Sequence, residues 1–82
     1  MNVERPLTKK EVRAIRLVLG VMQGEWGDML GFSKSHILRT EQANKHSYEV
    51  STKFDQAVKY KLKQMGVKLE EVLEIARKRG LL

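Results

Sequence analysis

The chain has 82 residues, no cysteine, and 16 Lys and Arg against 10 Asp and Glu, giving a formal net charge of +6 at pH 7. A chain of this length is one domain that buries only roughly 60–65% of its unfolded surface, which leaves little room for a catalytic pocket beside the core. Without cysteine there are no disulfides or thiolate metal sites, no apolar run approaches the roughly 20 residues that span a bilayer, and the distributed positive charge suits a polyanionic partner or simply a solvated surface.

Residues 1–7 contain Glu4 and Pro6 and lack the apolar stretch of a signal peptide, so the expected location is the cytoplasm. Thr8-Lys9-Lys10-Glu11 has the form of a capping box, in which the Thr8 hydroxyl accepts the Glu11 amide and the Glu11 carboxylate accepts that of Thr8. Leu7 and Val12 stand at staple positions. Val12, Ile15, Val18 and Leu19 follow at helical spacing, and Gly20 stops this first helix. A second, short helix covers Gln23 to Leu30, with Trp26, Met29 and Leu30 turned inward and Gly31 as a left-handed cap. Gly24 and Gly27 each cost it about 1 kcal/mol against alanine, so packing must hold it.

Ser33 caps a third helix, with Phe32 and Ile37 as a second staple. Lys34, Ser35, His36, Arg39, Thr40, Glu41 and Gln42 make this helix polar, and only Ile37 and Leu38 are strongly apolar. A helix with so little to bury presents its outer face. Asn44 to Ser47 is a polar loop. A fourth helix, from about Val50 to Met65, puts Val50, Phe54, Ala57, Val58, Leu62 and Met65 on one face before Gly66 breaks it. The last helix, about Leu69 to Arg79, buries Leu69, Val72, Leu73 and Ala76, and places acid early and base late as the helix dipole prefers. Leu81 and Leu82 leave two leucines at the terminus, read either as a frayed end or as part of a dimer surface.

Gly31-Phe32-Ser33 is the whole connection between the second and third helices. Two short helices across so tight a turn cross at roughly 90–120°, the helix-turn-helix unit, and the second can enter a major groove about 12 Å wide. Arg13 and Arg16, Leu19-Gly20-Val21-Met22-Gln23, Gly27, Gly31-Phe32-Ser33, Ile37, Arg39 and Glu41 together resemble the phage-repressor and Cro-like helix-turn-helix family. The pattern there is a glutamine opening helix two, then a small residue, a glycine, an aliphatic residue, an arginine and a glutamate. Gln23, Gly27, Gly31, Ile37, Arg39 and Glu41 stand in that register. The resemblance covers residues 8–45 by motif and 46–76 by helix layout.

That resemblance implies an all-α, compact five-helix domain, lambda-repressor-like, with the helix-turn-helix at about 23–43 and the recognition helix at 33–43. It implies a double-stranded DNA operator as partner, and a homodimer, since paired half-sites about 34 Å apart supply the specificity one helix lacks. Lys34, Ser35, Leu38 and Arg39 would face base edges, with Lys34 and Arg39 suited to guanine and Leu38 to a thymine methyl or to a partner's surface. Gln23 would bind a phosphate at the start of helix two, and Gln42, Asn44 and Lys45 would make further backbone contacts. For His36 a phosphate contact and a solvent-facing ring both stay open. Arg16 would pair with Glu41 as an architectural ion pair, Thr40 would be structural, and Trp26 belongs to the core. The sequence departs from the pattern at Met22, where Ser or Thr usually caps helix two, at Gly27, where alanine is usual, and at Ala43, where glycine is usual.

No catalytic role is expected. His36 and His46 have no acidic partners at metal-ligand spacing, and no phosphate loop or nucleophile motif appears. Neither a cofactor nor a small-molecule substrate is implied. The competing reading is the same fold used for protein contact, as in antitoxins, antirepressors or adaptors, with Leu38 as the residue that favours it. RNA binding lacks the aromatic platforms that stack bases.

Overall fold

The computed structural model describes residues 5–42 and 49–82. Among them are five helices, α1 (Lys9–Leu19), α2 (Gln23–Leu30), α3 (Lys34–Glu41), α4 (Thr52–Gln64) and α5 (Leu69–Lys78). The protein is all-helical in its described residues, apart from an isolated antiparallel bridge between Thr8 and Glu49.

Local chemistry sets the helix ends. The Thr8 hydroxyl accepts the Glu11 amide at 3.1 Å and the Glu11 carboxylate accepts the Thr8 amide at 2.9 Å, closing the capping box of α1. Gly20 ends that helix at φ 71°, a left-handed conformation that glycine adopts without Cβ strain. Ser33 and Ser51 cap α3 and α4 by accepting the amides of His36 and Phe54. α2 is the exception. Met22 offers no side-chain acceptor, and only half of a capping box forms, through the Glu25 carboxylate and the Met22 amide at 3.3 Å.

The fourth helix begins at Thr52, later than the expected Val50. Ser51 is the cap, and Val50 stays outside the helix with its amide donating to the Leu7 carbonyl at 2.9 Å. Its side chain is buried all the same. Met65, expected on the buried face, is instead the exposed cap of α4.

One core joins every helix. Leu7, Val12, Ile15, Trp26, Leu30, Ile37, Val50, Phe54, Val58, Leu62, Val72 and Leu73 form a single buried cluster, in which each large side chain contributes about 1.5–3 kcal/mol by leaving water. Trp26 is fully buried, and its indole N–H finds no acceptor among the described residues. α1 lies against α5 and α3, and α2 lies against α3 and α4. Gly80 turns the chain at φ 74°, the Leu81 amide donates to the Ala76 carbonyl, and Leu82 packs half-buried against the core.

Gly27 is the tightest point of the fold. Its carbonyl accepts the Phe32 amide at 2.8 Å, and a Cβ built on it would stand 2.5 Å from the Phe32 carbonyl oxygen. A glycine that costs helix propensity is therefore what lets the turn after α2 fold back onto that helix.

Candidate nucleic-acid interface

The outer face of α3 follows from what its inner face buries. Ile37 is fully buried, and Thr40 lies beneath the helix with its hydroxyl donating to the His36 carbonyl at 2.9 Å. With about 100° between successive residues, that inner face turns Ser35, Arg39 and Gln42 outward, and all three are exposed. Lys34 is also exposed, but its stem runs sideways across the first turn of α2, near Gly24. Leu38 is half-buried on the flank, less open than a free docking anchor.

The orientation of α3 is held by a buried ion pair. Arg16 of α1 grips Glu41 with two parallel hydrogen bonds, Nε to Oε2 at 2.6 Å and Nη2 to Oε1 at 2.9 Å. Its remaining Nη1 donates to the Val21 carbonyl at 2.8 Å, between α1 and α2. The two side chains are 11% and 5% exposed. Bidentate guanidinium–carboxylate geometry fixes direction as well as distance, so three segments are tied at one point.

Gln23 joins this cluster. Its side-chain amide, half-buried at the start of α2, donates from Nε2 to Glu41 Oε1 at 3.0 Å. Sequence spacing gave no sign of this contact, because it exists only where α2 and α3 cross. The first-turn amides of α2 lack intrahelical partners and Met22 supplies no cap, so this helix start offers donors to an anion.

For His36, open between a phosphate contact and a solvent-facing ring, the structure adds aromatic packing. Its ring is half-buried and stacks on Phe32, with centroids 4.8 Å apart, and on Phe54 of α4 at 5.4 Å. It lines an open pocket of about 260 Å³ with Lys9, Thr40, Glu49, Val50, Ser51 and Phe54. Asn44 and Lys45 lie outside the described residues, as does Ala43. Lys34, Ser35, Arg39 and Gln42 are thus gathered on or beside one exposed face, with Gln23 nearby through Glu41.

Among the described residues no group of three or more His, Asp or Glu is placed to hold a metal ion, and no helix is long and apolar enough to cross a membrane. No family model matches the chain, and no curated protein or solved structure matches it either.

Proposed function

We propose that this protein is a non-enzymatic, sequence-specific double-stranded DNA-binding regulator of the repressor type, working in the cytoplasm at the nucleoid. In this reading α2 and α3 form a helix-turn-helix, and α3 enters the major groove. One observation carries it: a short helix anchored through Ile37, Thr40 and Glu41 holds Lys34, Ser35 and Arg39 exposed on its other sides. Little on that surface would repay burial against a protein, whereas guanidinium and ammonium donors match guanine O6 and N7. The net charge of +6 adds counterion release on binding.

Each residue then has a role. Arg39 and Lys34 read bases, Ser35 contacts a base without discriminating strongly, and Leu38 touches a thymine methyl from the edge of the face. Gln23 and Gln42 hold the phosphate backbone. Two copies bind a palindrome, one half-site each.

The test is selection of duplex DNA from a random-sequence library, with enriched sequences re-measured across a salt series. A palindromic motif whose affinity falls steeply with salt is the expected result. Weak binding without any enriched motif overturns the reading and leaves the fold to protein contact. On the recovered operator, Arg39→Ala is expected to weaken binding by about 1–3 kcal/mol and relax preference at one base pair.

A further inference from the structure

The Glu41 side chain is nearly buried in its pair with Arg16 of α1, which reads as pure architecture. The third hydrogen bond changes that. Oε1 of Glu41 accepts from Arg16 Nη2 at 2.9 Å and from Gln23 Nε2 at 3.0 Å, while Oε2 is held by Arg16 Nε. Rotating the carboxylate would therefore break hydrogen bonds at both of its oxygens. A side-chain amide bound to it is fixed as well, with one Nε2 proton turned to Glu41 and the other still available to an acceptor.

We infer that Glu41 is a positioning residue for the phosphate-binding side chain of Gln23, anchored in turn by Arg16. The inference rests on the DNA-binding reading and deepens it. A glutamine on a helix surface samples several rotamers, and ordering it on binding costs affinity. Prepaying that order in the free protein is what the buried carboxylate contributes. The arrangement also separates two tasks within α3, in which Arg39 and Lys34 on the open sides read bases and Glu41 on the closed side arms a contact that belongs to α2.

The experiment is a double-mutant cycle on operator affinity with the full chain, using Glu41→Gln, Gln23→Ala and the pair. It is run at a temperature where circular dichroism shows every variant folded. Glu41→Gln keeps the side chain's shape and leaves Arg16 an oxygen to bind. It is expected to weaken binding about threefold to tenfold, within the range for residues sharing a hydrogen bond, and to have no further effect once Gln23 is alanine. The loss should be the same for every sequence, because the contact it disturbs is to phosphate. If Glu41 acted only by orienting α3, base preference at the Arg39 position would shift and the effect would persist in the Gln23→Ala background. Either of those results overturns the inference. Amide NMR of the free protein supplies a second readout, in which the Gln23 side-chain NH₂ should be protected from exchange in the wild type and lose protection in Glu41→Gln. An unprotected NH₂ in the wild type also overturns it. Failure of the wild type to bind any duplex overturns the DNA-binding reading itself, a result distinct from DNA binding with an additive cycle.

Discussion

Arg5 and Arg16 each hold a buried carboxylate through two nitrogens, and in each case the carboxylate takes a third donor from elsewhere. Arg5 grips Glu11, with Nη1 to Oε1 at 2.7 Å, and the third donor is the Thr8 amide. Arg16 grips Glu41, and the third donor is Gln23. The difference lies in the cation. The Arg5 side chain is 52% exposed and that of Arg16 only 11%. The first clamp spans six positions and pins the segment before α1 to that helix, whereas the second spans 25 and ties α1 to α3. Solvent can replace Arg5 on one side. For Arg16, only the Val21 carbonyl would remain. Two arrangements with the same hydrogen-bond count should therefore differ greatly in what their loss costs.

The largest expected effect follows directly. Glu41→Ala strands a nearly buried guanidinium and should lower unfolding free energy by about 3–5 kcal/mol, measured by urea denaturation. A loss no larger than that from cutting the Arg5 clamp would collapse the comparison. Next in size is Gly27→Ala, which probes the same end of the molecule without touching charge. Helix propensity favours alanine by about 1 kcal/mol, but the new Cβ would meet a backbone oxygen at 2.5 Å. Backbone cannot swing aside as a side chain can. A net destabilisation of about 1–3 kcal/mol is expected from such overpacking, and a rise in melting temperature would show that the turn is looser than its geometry.

What the sequence disclosed about these two ends was unequal, and the reason is range. Thr8, Gly20, Gly31 and Ser33 act on amides and carbonyls a few residues away, so both ends of α1, the end of α2 and the start of α3 could be read from local chemistry. The start of α4 could not. Val50 has the spacing of a helical core residue, yet Leu7 captures its amide from the far end of the chain. Arg16 and Glu41 were connected only through a resemblance to a family pattern, since nothing in their separation demands contact. The bond from Gln23 to Glu41 and the stack of His36 on Phe54 were illegible for the same cause. Each depends on how two helices cross, and periodicity describes one helix at a time. Gly27 was misread as a weakness because propensity scales price the helix and ignore the turn lying against it.

A smaller effect sharpens the contrast by repair. Met22 is 74% exposed at the head of α2 and caps nothing. Met22→Thr supplies the acceptor that Thr8 and Ser33 supply elsewhere, and should stabilise the fold by about 0.5–1 kcal/mol in thermal unfolding. A destabilised variant would mean that the exposed methionine packs in a way its accessibility does not show.

The smallest effect belongs to the Arg5 clamp and separates charge from capping. Burial pushes the Glu11 carboxyl up, but the Arg5 hydrogen bond, the Thr8 amide and the Arg5 charge together outweigh it and leave the carboxyl below its ordinary value. A carboxyl lowered in the folded state stabilises the fold fully above its unfolded value, about 4.3, and that contribution is lost as pH falls through the folded value. Glu11→Gln keeps an oxygen for the Thr8 amide, so the capping box survives and only the ion pair is lost. At pH 7 the cost should stay below about 1 kcal/mol, as for pairs with one partner in solvent. On acidification below about pH 4.3, the gap between wild type and variant should close, because the protonated wild type has lost the same charge. A gap that held constant to pH 3 would assign the cost to the capping box instead, and the two clamps would no longer be variants of one device.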